Sequence, residues 1–354
     1  MKRLVKIIIS FLAVFVFQSA IVWASENGHY YPGIINIRDL IVPPKGFYYV
    51  TYNPTMWSDA LMDRDGNKFK GETVSGAITR RIGAGNSSVD MRLEGTLSTR
   101  VDVNMEAFTT EHLLMWSTGE KILGADYALL IAPSYGYTRL DLKADVTGTG
   151  TITLGSLRHD ISTSKHIEFE ADKSGFGDLL VEPLWLGWHG KEYDASCGYA
   201  FFAPTGAYDP NDPVNIGLGY WTHEAQANFF YYPTASASRS TALMVQGTYG
   251  YHTNMDGFDL KPGQTIDLEY GVSQYLSERF EAGVSGYHHW QITDDTGTDA
   301  KNPGVHNQVN GLAGQVSVWL VPNKFYVSCR YAWEYAATDR FASNIVTGSA
   351  IYLF

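Results

Sequence analysis

The sequence predicts an all-β fold, a transmembrane antiparallel β-barrel of twelve strands, with fourteen as the alternative count. Three observations point there. Segments of roughly 9 to 14 residues alternate with period two and are rich in Tyr, Trp and Phe, as membrane strands with one lipid face and one lumenal face require. The connections between them tend to alternate between short and long. The chain ends on the alternating run Ile345 to Phe354, whereas chain termini are commonly held loosely. A spanning sheet must pair its first strand with its last, because an orphaned backbone group in hydrocarbon costs several kcal/mol.

The N-terminus reads as an export signal. Lys2, Arg3 and Lys6 precede an apolar run from Ile7 to Val22 broken by Ser10, Gln18 and Ser19. Ala24 supplies a small residue for cleavage, and polar Ser25-Glu26-Asn27 follows. This divides the chain into residues 1–24 as signal peptide, 25–45 as a periplasmic N-terminal segment, and 46–354 as the barrel. No signature of a plug domain or an energy-coupling box stands out.

Net charge argues against an anionic partner. Formal charge is −11, and removal of Lys2, Arg3 and Lys6 takes it to −14, which disfavours nucleic acid. Outer-membrane lipids are the expected surroundings. Aromatic content is high, with 23 Tyr, 17 Phe and 9 Trp beside 35 Gly. Cys197 and Cys329 each fall within strand-like alternation, which favours two unpaired thiols over a disulfide.

The strands are placed at 46–57, 103–116, 124–136, 176–188, 195–204, 220–231, 241–252, 263–275, 279–292, 309–321, 325–336 and 346–354. An even count leaves both ends on the periplasmic side. Thr138–Val146 and Thr149–Leu157 also alternate, and are assigned to a hairpin outside the membrane; their entry into the wall would give fourteen strands. Alternation from Val89 to Thr99 is weak. Within the strands, alternation puts Glu269, Glu281, Tyr287, His289, Arg330 and Glu334 on lumenal faces, where they either tune passage or brace the interior.

Catalytic patterns are wanting. The chain has no nucleophile elbow of the Gly-x-Ser-x-Gly type, no His-Glu-x-x-His and no Cys-x-x-Cys. His288 and His289 are adjacent, so on a strand they face opposite ways and do not share a metal. Asp63 to Asn67 and Asp209 to Pro213 resemble fragments of calcium loops but read as acidic turns, because Asp, Asn, Gly and Pro favour turns for local reasons. No catalytic residue, metal or cofactor is expected.

Several separated motifs carry a resemblance. These are Lys121 to Tyr127, Phe176-Gly177-Asp178-Leu179 with Glu182-Pro183-Leu184 and Gly187-Trp188-His189, then Ala203 to Asp209 with Asn215-Ile216-Gly217 and Gly219-Tyr220-Trp221-Thr222. Gln291 to Gly297 is a weaker fourth. Together they resemble the outer-membrane proteins named for the meta-pathway of phenol degradation, over about Leu40 to Phe354. The resemblance implies a twelve-stranded barrel in the outer membrane of a Gram-negative bacterium. It also implies passive uptake of small, bulky or hydrophobic organic molecules, aromatic compounds among them. The alternative is a sealed barrel acting as a surface binding or structural protein. Terminal Phe354 resembles the insertion signal read by the barrel assembly machinery.

Overall fold

A computed structural model of the chain describes residues 28–84, 87–234 and 240–354. The expected signal peptide, residues 1–24, lies outside the described residues. The strands are β1 (Gly46–Ser58), β2 (Thr73–Ala84), β3 (Ser87–Ile122), β4 (Ala125–Ala132), β5 (Ser134–Leu154), β6 (Leu157–Phe176), β7 (Leu179–His189), β8 (Tyr193–Ala203), β9 (Thr222–Tyr231) and β10 (Thr241–His252). They continue with β11 (Thr265–Tyr275), β12 (Phe280–Gln291), β13 (Gln308–Val321), β14 (Phe325–Thr338) and β15 (Asn344–Leu353).

Twelve of these close the wall: β1, β3, β4 and β7 to β15. Closure runs through β1, which pairs antiparallel with β15 from Tyr48↔Leu353 to Trp57↔Asn344, and with β3 from Gly46↔Ser117 to Ser58↔Met105. No wall strand is therefore left with an open edge in hydrocarbon, as the energetics of a spanning sheet demand. Phe354 lies just past β15, and its N–H donates to the Phe47 carbonyl at 3.1 Å.

The remaining strands extend one side of the wall outward. β3 has 36 residues, or about 120 Å at strand rise, whereas a tilted membrane strand needs about 10 residues. Its outer part pairs with β2 and β5, and β5 pairs with β6, giving a four-stranded projection. Thr138–Val146 and Thr149–Leu157 project as expected, but the first lies within β5 and the second runs from the end of β5 through the turn to Leu157 of β6. Its hairpin with β6 turns at Gly155-Ser156, where Gly155 takes φ +59°. The weak alternation of Val89–Thr99 is explained by the same placement: this stretch meets water on both faces, so nothing selects a period.

Lipid-facing aromatics form two bands. Toward the short-turn end, Phe47 stacks on Trp116 at 5.5 Å, Tyr193 on Phe229 at 6.1 Å, and Phe354 meets Tyr352 edge-on at 5.0 Å. Toward the long-loop end, Trp221 stacks with His223 and His288 with Trp290. Such girdles mark the two membrane interfaces, with short turns on the periplasmic side. Cys197 and Cys329 are both unpaired.

The N-terminal segment departs from the expected arrangement. Residues 25–45 are described from Gly28 onward, and residues 28–45 run through the barrel interior instead of lying in the periplasm. They start at the outer rim, where His29 meets Asp178, and finish at the periplasmic end, where the Pro43 carbonyl accepts from Ser117. Ile37 is wholly buried midway. The segment is a short strap with turns at 32–33 and 37–40 and no helix or strand of its own, which is why no plug domain is legible in the sequence.

Candidate functional site

A strap without sheet partners must satisfy its backbone groups by other means. Side chains from β11 to β14 do this for the strap's middle, and Ser196 of β8 and Ser117 of β3 do it at its periplasmic end. Glu269 on β11 accepts from the Tyr30 hydroxyl at 2.6 Å and from the Gly33 amide at 3.2 Å. Arg330 on β14 donates to the Gly33 carbonyl at 2.7 Å, and also to Ser285 and Gln315. Gln315 accepts from the Ile37 amide at 2.9 Å. Glu281 on β12 accepts from Arg38 of the strap at 2.6 Å and from the Tyr326 hydroxyl at 2.9 Å.

Gly33 is required where it sits. Its φ is +86°, and a Cβ there would lie 2.6 Å from the Tyr287 ring. Left-handed backbone and ring contact coincide, so only glycine fits without strain. At the outer rim His29 bonds Asp178 at 2.8 Å and Thr222 at 2.6 Å, and stacks on Phe202. Asp178 also accepts from the amides of Gly206 and Leu218. Burial is the main influence on His29 and pushes its pKa below the ordinary 6.5, against the opposing pull of Asp178. Burial pushes the Asp178 carboxyl up, but hydrogen bonds from His29 and the two amides outweigh it and hold the carboxyl below its usual range.

The six residues selected by alternation all lie buried in the interior. Glu269, Glu281 and Arg330 bind the strap, while Tyr287 packs on Gly33. His289 bonds Asp267 at 2.7 Å and Asn307 at 2.8 Å. Glu334 accepts from the Ser343 amide at 2.6 Å, closing the β14–β15 loop. His288 faces outward beside Tyr270 and Trp290.

None of those six lines the open space. A cavity of about 1270 Å³ lies between the strap and the opposite wall. Its sides come mainly from β1, β3 to β9 and β15, including Met56, Leu113, Met115, Leu130, Trp185 and Phe202, while β11, β13 and β14 add only Tyr275, Trp319 and Tyr326. The strap contributes Ile34, Ile35 and Leu40, and β10 and β12 contribute nothing. At the outer end the lining reaches Pro210 to Asn215, and at the periplasmic end it reaches Asn323-Lys324, Lys45 and Leu353. The lining is mostly apolar; on the wall strands its charged and amide side chains are Glu111, Glu182, Glu224 and Gln226.

Sequence reasoning missed this wall for two reasons. Its residues are apolar on the lumenal face, so β1, β3 and β7 lack clean polar–apolar alternation. Glu182 is aimed inward by a bulge, since register shifts between Val181 and Leu184, and a bulge changes which face a residue takes. The two acidic turns are local structures. Asp63 accepts from the amides of Asp65 and Asn67, and Asp209 from that of Asn211. The second also rims the cavity mouth, where Lys173 pairs with Asp212 at 2.5 Å.

Closed wall and aromatic girdles define a β-barrel of the outer-membrane kind. The chain belongs to the family described as "Putative MetA-pathway of phenol degradation", which it matches over residues 63–347. Among solved structures it is similar to an outer membrane channel from Pseudomonas putida F1, at 13% identity and a TM-score of 0.61. That match covers 90% of this chain and 100% of the other. It is also similar to a FadL homologue from Pseudomonas aeruginosa at 12% identity, covering 93% and 96% of the two chains. There the TM-score of 0.35 is too low to carry an argument. A comparison with curated proteins found no match.

Proposed function

We propose that the barrel admits small, hydrophobic or bulky organic solutes by passive diffusion, aromatic compounds among them, along the cavity between strap and wall. The observation that carries this reading is the lining itself: one mostly apolar surface that runs from outer-loop residues to a periplasmic turn. A solute leaving water gains from burial along such a surface. Scattered contacts keep it from being held at one point, which passage requires. No energy source enters. Pocket-like concavity with a few polar groups is also the usual form of a small-molecule path.

In this reading Glu269, Glu281, Tyr287 and Arg330 act indirectly, by holding the strap away from the open side. His289 and Glu334 brace the wall and its outer loop. Residues 1–24 direct export, and Phe354, exposed at the periplasmic rim, is offered to the barrel assembly machinery. The P. putida structure is named as a channel, which agrees with the role.

Liposome swelling with refolded protein tests the proposal, using sugars, amino acids and small aromatic compounds of graded size. Faster entry of the less polar solutes is the expected result. No entry of any solute into vesicles holding folded barrel, checked by heat-modifiable gel mobility, would favour the sealed surface-binding alternative.

A further inference from the structure

Three carboxylates face the apolar cavity without a cationic partner. Glu182 on β7 reaches inward through the bulge and accepts from Gln226 on β9 at 2.5 Å. That bond spans β8 and passes over Gly198, where a Cβ would lie 2.3 Å from Glu182 Oε1 and 3.1 Å from Gln226 Nε2. The missing side chain is what makes room for the pair. Glu224 on β9 stands opposite Ala200 in the ladder. It is 7% exposed, and its Oε1 has no hydrogen-bond partner. Glu111 on β3 lines the same space and lies within electrostatic reach of Glu224, as does Glu182.

The two arginines that line the cavity are engaged elsewhere, and its lysines, Lys45 and Lys324, lie at the periplasmic end. Arg38 binds Glu281 at 2.6 Å, and Arg340 sits over the Tyr31 ring at 5.3 Å. Asp39, by contrast, is satisfied by Tyr52 and Asn36. An ionised carboxylate only accepts hydrogen bonds, and leaving one buried without a donor is costly. Trp185 and Phe202 flank the group with apolar surface, and an aromatic face also favours a cation.

We propose that Glu182, Glu224 and Glu111 form a recognition site for a hydrogen-bond-donating head, an ammonium above all, on a solute with an aromatic or aliphatic body. The site rests on the reading of the cavity as the solute path. Arylalkylamines pass or bind in preference to the matching alcohols, and carboxylated analogues are disfavoured by like charge. Charge-assisted hydrogen bonds are the stronger kind, so the amine should exceed the alcohol by about tenfold.

The test uses phenethylamine, phenethyl alcohol and phenylpropionate, which share a body and differ in the head. Swelling rates in liposomes and calorimetric binding to the detergent-folded barrel are both measured, for the native chain and the Glu182→Gln, Glu224→Gln double variant. The native chain should rank amine over alcohol over acid by both readouts. The double variant should lose the amine preference, amine entry and binding falling to those of the alcohol. Equal entry of amine and acid, with no calorimetric preference between them, would overturn the site. Carboxylate-dependent amine binding without swelling by any solute would support the site and sink the solute-path reading instead. Should the double variant fail to fold, Glu224→Gln alone serves, because Glu224 makes no hydrogen bond among the described residues, and loss of the preference reads the same way.

Discussion

The two sides of the lumen are built from opposite materials. From β10 to β14 the interior face carries Asp267, Glu269, Glu281, His289, Arg330 and Glu334, all buried and bonded to the strap, to neighbouring strands or to loops. From β1 to β9 it carries Met56, Leu113, Met115, Leu130 and Trp185, and there the space stays open. The difference teaches that interior charge on a barrel does not by itself mark a path. Here the charge marks where the interior is filled, because the strap's amides, carbonyls and Arg38 need partners. The open space lies on the other side, which the strap's backbone bonds only at its periplasmic end.

Removing the strap should break the asymmetry most severely. A chain lacking residues 28–41 is expected to close its barrel, since every wall ladder is strand-to-strand, but with conductance in planar bilayers several-fold higher. Unchanged conductance would mean that the strap does not narrow the passage. Next comes Arg330→Met, which removes the cation 3.8 Å from Glu269 and the donor to the Gly33 carbonyl. Loss of one member of a buried charged set costs about 3–5 kcal/mol, to be read from urea unfolding in lipid vesicles.

Gly33→Val should cost about 2–3 kcal/mol of strap seating from its left-handed backbone alone, before its contact with Tyr287. Its conductance should move toward that of the deletion; a native value would show that the seat adapts. On the opposite wall, Leu113→Ala should cost only about 1 kcal/mol, the low end for core truncation, because one side of Leu113 already meets open space. A loss as large as that at Arg330 would erase the contrast between the walls.

The smallest effect is the response of the rim to pH. Seated His29 has a pKa below 6.5 because it is buried, whereas a released strap would return it to the ordinary value. Below that value the released form takes up a proton that the seated form resists, so seating is full above pH 6.5 and weakens as pH falls. Asp178 works in the same direction but only in more acid solution, because its own pKa is held down. Protease cleavage near the strap should be faster at pH 5 than at pH 8. His29→Gln should remove that dependence.

Sequence alone determined the membrane wall. Period-two alternation, aromatic ends and the uneven connections set twelve strands and their order, because lipid on one face imposes a pattern that survives in one dimension. Inward residues such as Glu281 and Arg330 were readable for the same reason. The strands' outer limits were not, since β3 keeps a buried face at Val101 and Val103 beyond the wall, so its alternation does not stop where the membrane does. Only the tertiary structure decided what those inward charges do. The strap from His29 to Lys45 has no repeating pattern, and its Tyr30 hydroxyl, Gly33 amide and Arg38 guanidinium find carboxylates more than 200 residues away in sequence. Glu182 likewise depended on a bulge and on the gap above Gly198, features of three adjacent strands. Such pairings are set by barrel closure, which brings distant residues together at a register that no local stretch of sequence encodes.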